Sequence, residues 1–326
     1  MISQQKLLSF IGGILFTAAM MFFSTTSSQA GWREDVQVFK IGIVSDRERS
    51  VAIRQIEPFR EALSLAIDMP VSVFVYRKFR GLINAQSSKK IQYGVYTASS
   101  FATAWAKCKC IKPVAAAKLT GGAVKYHSIL IVRKDRFSKI SELKGKRIAI
   151  SGKNSLSGYI VPKKELDGKD LRFVDLPGKP DDTVIVGAGT TTSSRKLFQE
   201  GLVDGLFGWS TFDAASADSV AGEVAMAGTF FDLTSINLMD ASELKIVWKS
   251  KPIFTGPHAI ATTVPKVFEN KIGDFLLNLF NSHPRAYDSV ENYRGGGFAE
   301  VELSDYQPLI DIIDARDKVA DIAQTK

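Results

Sequence analysis

The 326-residue sequence has few of the residues on which enzymatic and metal chemistry depends. It contains three histidines and two cysteines, which leave little material for a multi-ligand metal site. It has no Gly-Lys-Ser/Thr phosphate loop and no Gly-x-Ser-x-Gly elbow. We therefore expect no catalytic residues, no metal and no cofactor in this protein.

The scarcity of cysteine also limits how the fold is held together. Cys108 and Cys110 are separated by a single residue, so a framework of several disulfides is excluded. Two cysteines this close fit the usual disulfide geometry poorly. A redox pair, a local disulfide and two ordinary thiols are the alternatives that the spacing leaves open.

Long apolar runs are scarce as well, and the one that stands out covers residues 7–23, directly after Lys6. It is followed by small polar residues and by Ser28-Gln29-Ala30, which fits the small-x-small rule for signal peptidase. An uncleaved anchor is the alternative, since the run reaches the lower limit of ~17–25 residues for a spanning helix. We predict a signal peptide over residues 1–30, cleavage before Gly31 and export to the periplasm.

The charge of the chain is positive but dispersed. Lysine and arginine number 42 against 34 acidic residues, a formal charge of +8. The basic residues form no stripe interleaved with aromatic side chains, so nucleic acid is not an expected partner. A basic surface would instead favour the approach of a small anion.

Hydrophobic patterning predicts an α/β fold in two parts. A strand over 38–44, a helix over 53–66 and a strand over 71–76 begin a strand–helix rhythm typical of parallel sheets. The pattern restarts at an apolar strand from Ser128, with no Pro/Gly/Ser-rich linker before it. We therefore expect two lobes joined by strands that cross between them, with a ligand cleft at their interface.

The most informative polar segment is the loop Gly152–Tyr159. It follows a predicted strand over 147–150 and precedes a predicted helix that Ser157 opens. Ser155 and Ser157 can donate hydroxyl hydrogen bonds, Gly158 allows close backbone approach, and a helix N-terminus attracts anions. The alternative is a plain serine cap without a ligand.

Three segments together resemble the phosphonate, phosphate and phosphite substrate-binding proteins of ABC importers, the PhnD-like family. They are 127–135 with 143–146 after it, 154–162, and 247–250 with 252–253 and 256–257, and the likeness extends over about 38–313. The resemblance implies a type II periplasmic binding protein fold of two α/β lobes, each a mostly parallel sheet flanked by helices, with the ligand cleft between them. It places lobe 1 at 31–125 and 257–326, and lobe 2 at 126–256.

The resemblance also implies which residues hold the ligand. The family's Ser/Thr loop grips phosphoryl oxygens, a role that falls here on Ser155, Ser157 and Gly158. Further ligand-binding positions correspond to Tyr76, Tyr96, Thr190, Thr191 and Trp209.

The sequence departs from the family where an aminoalkyl tail would bind. Thr190-Thr191-Thr192 stands in place of a His-acidic pair, Gly208-Trp209-Ser210 in place of acidic or amide groups, and Gln92 in place of an acidic residue. A ligand ammonium would find no carboxylate at these positions, and burying it unpaired is expensive. We therefore expect a ligand without an amine, or one outside the phosphonate class.

These features predict a monomeric periplasmic solute-binding protein that captures a small anion for an inner-membrane ABC permease. The alternative is a periplasmic sensor that presents its closed form to a membrane receptor kinase. An exported hydrolase is disfavoured, because a nucleophile–base pair and metal ligands are missing from the sequence pattern.

Overall fold

The computed structural model describes residues 27–119, 121–212, 225–235, 238–291 and 295–324. Most of the predicted signal peptide therefore lies outside the described residues. The helices are α1 (Ser27–Asp35), α2 (Arg49–Ile67), α3 (Phe79–Ser87), α4 (Ala98–Cys108), α5 (Val161–Leu166), α6 (Thr191–Gln199), α7 (Thr229–Ser235), α8 (Lys266–Ser282), α9 (Pro284–Val290) and α10 (Leu303–Gln324). None of these helices is long and apolar enough to span a bilayer.

The strands form two separate sheets. Their bounds are β1 (Phe39–Val44), β2 (Val71–Tyr76), β3 (Tyr93–Val95), β4 (Ile111–Ala117), β5 (Lys125–Arg133), β6 (Arg147–Ile150), β7 (Arg172–Val174), β8 (Asp182–Gly187), β9 (Gly205–Phe212), β10 (Ala225–Gly228), β11 (Leu244–Lys249), β12 (Ile253–Phe254), β13 (Pro257–Ala261) and β14 (Phe298–Glu300). The first sheet has the order β14-β4-β13-β3-β1-β2, and the second has the order β11-β5-β9-β6-β8-β7, with β10 beside β9 and β12 beside β5.

The two-sheet α/β architecture confirms the predicted fold class, but both sheets are mixed rather than mostly parallel. Parallel pairing is confined to β2-β1-β3 in the first sheet and to β9-β6-β8-β7 in the second. Strands β4, β13 and β14 pair antiparallel, as do β5 and β11. Strand β4 leads the chain out of the first sheet and the adjacent β13 brings it back, so these two strands run in opposite directions.

Each sheet is covered by apolar residues on both faces. One cluster joins β1 to α2 and α8 through Phe39, Phe59 and Ile272, all fully buried. The opposite face of the same sheet packs on α3, α4 and α10, with Phe101 and Tyr306 at ring-centroid distance 4.9 Å. The helix predicted over 53–66 extends over Arg49–Ile67 and supplies much of the first cluster.

Two adjacent chain segments connect the sheets. One runs from β4 to β5 and the other from β12 to β13. The Thr255 N–H donates to Val124 O at 3.0 Å, and its hydroxyl donates to Ala117 O at 2.7 Å. Beside them, a Cβ on Gly256 would come within 1.9 Å of Tyr96 O, so only glycine fits there. The two connections therefore lie side by side and are hydrogen-bonded to each other.

The structure also contains elements that hydrophobic patterning does not predict. Strand β4 lies inside the first sheet although it contains Pro113, which cannot donate to a ladder. The register of β13 against β4 shifts between His258 and Ala259, the partner of Pro113, and this irregularity accommodates the proline. The preceding helix α4 ends at a disulfide between Cys108 and Cys110, one of the alternatives above.

Candidate functional site

A cleft of about 1020 Å³ lies between the two sheets. The first sheet contributes the loop after β1, the residues after β2 and the start of α4, while the second contributes β5, β9 and the loop after β6. The polar and aromatic side chains among its lining residues are Ser45, Asp46, Arg47, Gln55, Arg77, Phe79, Tyr96, Thr97, Ser99, Tyr126, Ser155, Ser157, Trp209, Thr255, Ser289 and Glu291.

On the first-sheet side, helix α4 begins at the cleft. Thr97 is its N-cap, and its hydroxyl accepts from Ser100 N while the Ser100 hydroxyl accepts from Thr97 N at 2.9 Å. This capping box occupies the Ser100 N–H, whereas the N–H groups of Ala98 and Ser99 have no acceptor within the helix. Since Thr97, Ala98 and Ser99 all line the cleft, the positive end of this helix is available to an anion.

The second sheet places the loop after β6 in the same cleft. A π-helical turn over Leu156–Ile160 continues into α5, and its N-cap is Ser155. The Ser155 Oγ accepts from Gly158 N at 3.1 Å. The prediction that Ser157 opens the helix is therefore wrong, because Ser155 has the extended backbone and the capping bond. Ser157 lies one residue inside the turn and lines the cleft beside Ser155.

Two arginines bring positive charge to the cleft. Arg77 follows β2 and donates through Nη1 to the carbonyl oxygens of Asp46 and Arg47, the second at 2.7 Å. These bonds hold the loop between β1 and α2 against the end of β2. Arg47 and Arg77 both line the cleft and are exposed, so their guanidinium groups are accessible to an anionic ligand.

Aromatic side chains form part of the cleft wall. Trp209 on β9 makes a T-shaped contact with Tyr126 on β5, with ring centroids 5.8 Å apart. Tyr96 also lines the cleft, but its hydroxyl donates to the buried Gln86 Oε1 at 2.6 Å. Burial raises the pKa of Tyr96, so this phenol stays a neutral donor directed into the first sheet's core.

The structure brings four of the eight predicted ligand-binding residues to the cleft lining: Tyr96, Ser155, Ser157 and Trp209. The other four lie outside it. Tyr76 packs over Gly42 and Gly81 at the end of β2. Gly158 is buried behind Ser155, where a Cβ would come within 2.7 Å of Ser155 Oγ.

The threonines stand at the start of α6. The Thr190 hydroxyl caps this helix by accepting from Ser193 N at 3.0 Å. Thr191 is exposed in the first turn, and its carbonyl accepts from the Ser194 hydroxyl at 2.9 Å. The Thr190 hydroxyl thus serves the helix cap, and neither threonine lines the cleft.

Two carboxylates that sequence reasoning missed, Asp46 and Glu291, line the cleft. Asp46 is exposed in the loop after β1, and Glu291 follows α9 with 9% of its side chain exposed. The expectation of a ligand without an amine rested on positions 92, 190–192 and 208–210. Carboxylates reach the cleft from other elements, so this expectation stays a prediction for a binding experiment.

A family model described as "ABC transporter, phosphonate, periplasmic substrate-binding protein" matches residues 41–306. The chain belongs to this family of phosphonate-binding periplasmic proteins. It is therefore a substrate-binding component of an ABC importer, whose partners are a small ligand and a permease.

Solved structures share the fold of this phosphonate-binding family member. XAC2383 from Xanthomonas citri, bound to chloride, has a TM-score of 0.63 and 16% identity, over 86% of this chain and 99% of that one. The same protein bound to ATP gives a TM-score of 0.62 and 16% identity, over 86% and 98% of the two chains. PhnD1 from Prochlorococcus marinus, in complex with methylphosphonate, gives a TM-score of 0.53 and 17% identity, over 86% of this chain and 99% of that one. At these identities the likeness establishes the fold alone.

Proposed function

We propose that this family member captures a small oxyanion of the phosphate, phosphite or phosphonate type and delivers it to an inner-membrane permease without covalent chemistry. One observation carries the proposal: helical N-termini from both sheets, capped by Thr97 and Ser155, line the same cleft. N–H groups and hydroxyls from both sides can donate to one anion. Arg47 and Arg77 add charge-assisted donors.

Closure of the cleft completes this mechanism. We assign residues 31–125 and 257–326 to lobe 1 and residues 126–256 to lobe 2, which move about the paired connections between the sheets. An anion that bridges donors of both lobes binds the closed form better than the open form, and this difference in affinity drives closure. Ser155, Ser157 and the start of α4 provide the bridge.

Tyr76, Gly158, Thr190, Thr191 and Trp209 belong to the proposal in less direct roles. Gly158 positions the Ser155 hydroxyl, and Trp209 forms a wall of the cleft. Tyr76 lies at the end of β2 and the two threonines lie at the start of α6, and we assign to them contacts with the ligand that form only on closure.

Import is favoured over signalling to a receptor kinase because the matching family is defined by ABC transport. The proposal includes export by a leader cleaved before Gly31 and action in the periplasm as a monomer, without nucleic acid. Sequencing the N-terminus of periplasmic material checks the cleavage, and an intact Met1 in the membrane fraction would refute it.

The anion proposal is tested by a thermal-shift screen followed by calorimetry. The panel is phosphate, phosphite, methylphosphonate, 2-aminoethylphosphonate, sulfate and small carboxylates. A ligand present at a hundred times its Kd stabilises the folded protein by ~2.7 kcal/mol, which raises the Tm measurably. If no oxyanion of phosphorus shifts the Tm, the proposed ligand class is wrong.

A further inference from the structure

Two aromatic side chains form a corner in the part of the cleft wall that the second sheet contributes. Trp209 on β9 and Tyr126 on β5 both line the cleft and are half-buried. Their rings meet at 74° with centroids 5.8 Å apart. A third flat ring placed in this aromatic corner stacks on one of them and meets the other edge-on, and aromatic rings favour both contacts.

Strand pairing places the aromatic corner next to the proposed anion site. Trp209 lies directly opposite Ser128 in the antiparallel register of β5 and β9, so their Cβ atoms are ~4.5–5.5 Å apart on one face of the sheet. The Ser128 hydroxyl donates to Ser157 O. Tyr126, two residues before Ser128, lies on the same face because side chains alternate along a strand. An oxyanion held by Ser155 and Ser157 therefore has the aromatic corner one serine away.

The cleft is also larger than an inorganic oxyanion requires. Its volume of about 1020 Å³ reaches the upper end of the ~300–1,000 Å³ found for sites that enclose drug-sized ligands. The side chains of Tyr126, Ser128 and Trp209 on this face are all uncharged. On the first-sheet side, Phe79 lines the cleft and is half-buried at the start of α3. Space and apolar surface are thus available for an uncharged organic group beside the anion.

We propose that Trp209 and Tyr126 are specificity-determining residues that bind a flat aromatic or heteroaromatic ring attached to the ligand's oxyanion. This inference rests on the proposed function and refines it: the ligand is an aryl-bearing phosphonate or phosphate ester, with its phosphoryl oxygens at the helix N-termini. The ring enters the aromatic corner and excludes water from both walls. A saturated ring of similar size buries comparable area but cannot stack, so planarity is the property that the corner selects.

The experiment compares ligands that differ in the planarity of one six-membered ring. The pairs are phenylphosphonate with cyclohexylphosphonate, and benzylphosphonate with cyclohexylmethylphosphonate, and methylphosphonate reports on the anion site alone. Calorimetry gives the Kd of each for the wild type, Trp209→Leu, Tyr126→Leu and Trp248→Leu. Trp248 is half-buried on β11 of the same sheet, contacts Phe207 and lies outside the cleft lining. It controls for the loss of an indole from this sheet.

The wild type should bind the aryl member of at least one pair about two- to tenfold more tightly than its saturated counterpart, as expected for an aromatic contact. Burial alone would favour the cyclohexyl member, which is the more apolar. Trp209→Leu should abolish the preference, Tyr126→Leu should reduce it and Trp248→Leu should keep it. Melting without ligand shows whether each variant is folded, and Tyr126→Leu supplies the test if Trp209→Leu is not.

Other results overturn the inference. It fails if the wild type binds the cyclohexyl member of both pairs at least as tightly, or if the folded corner variant keeps the full preference. It also fails if Trp248→Leu abolishes the preference. Binding of methylphosphonate without binding of either aryl ligand overturns the inference and leaves the proposed function intact, whereas the absence of binding by any phosphorus oxyanion overturns both.

Discussion

The roles of Ser155 and Ser157 can be separated by mutation, because only one of them caps the helix. The Ser155 Oγ accepts from Gly158 N at 3.1 Å, so Ser155→Ala removes a cap worth about 1 kcal/mol. For domains of ~150–250 residues this corresponds to roughly 2–4 °C in the Tm. Ser157 lines the cleft without capping, so Ser157→Ala should leave the Tm of the unliganded protein unchanged.

Binding should respond differently from stability. Loss of one hydroxyl donor to a charged ligand costs about 1.5–3 kcal/mol, or roughly a ten- to hundredfold increase in Kd. We expect this increase in Kd for Ser157→Ala, measured with methylphosphonate or phosphate, whichever the wild type binds. Ser155→Asp keeps a good N-cap but places a carboxylate beside the anion, so it should bind most weakly of all while its Tm stays close to that of the wild type.

Each variant is assayed by calorimetry and by melting without ligand, alongside Ser235→Ala, an exposed serine at the end of α7 and outside the cleft. The control should match the wild type in both measurements. If Ser155→Asp and Ser157→Ala bind the anion as tightly as the wild type, the loop after β6 is a plain helix cap and the anion lies elsewhere.

Three further perturbations address the connection between the sheets, the role of Arg77 and the stability in acid. Gly256→Ala would force a Cβ to within 1.9 Å of Tyr96 O, so we expect a marked fall in Tm or in soluble yield, and an unchanged Tm would contradict the packing. Arg77→Gln should raise the Kd of the anion and reduce its dependence on salt, measured from 50 to 300 mM NaCl; an identical Kd would remove Arg77 from the site. Although burial alone would raise it, loop N–H groups and Arg172 hold the pKa of Asp182 below its usual value. Asp182 therefore stabilises the fold above about pH 4, and this contribution is lost as the pH falls through its lowered pKa. Melting between pH 2.5 and 6 should show a smaller loss for Asp182→Asn than for the wild type, and parallel curves would contradict this.

The sequence predicted the parts of the site that depend on local pattern. The strand, polar loop and helix around Ser155 are adjacent in the chain, so hydroxyls at a helix start could be recognised from composition alone. The assignment of the cap to Ser157 failed because a π-helical turn moves the helix start two residues earlier. Such a turn has no simple signature in residue spacing.

The parts that were missed depend on contacts between distant segments. Helix α4 and strand β4 are rich in alanine, serine and threonine, and Pro113 argues against a strand inside a sheet. Glu291 lines the cleft and is hydrogen-bonded to His258, which lies 33 residues earlier in another element. No periodicity in the sequence reports that pairing, so the carboxylates of the cleft could not be predicted.

The order of strands in the first sheet has a consequence for how the chain folds. Strand β13 lies between β3 and β4, although it follows them by more than a hundred residues in the sequence. Until residues 257–261 are present, β3 and β4 have no strand between them, whereas the whole second sheet is encoded by the continuous stretch from β5 to β12. The second sheet can therefore form early from nearby segments. The first must wait for a late strand to join its two halves, a long-range pairing that slows folding.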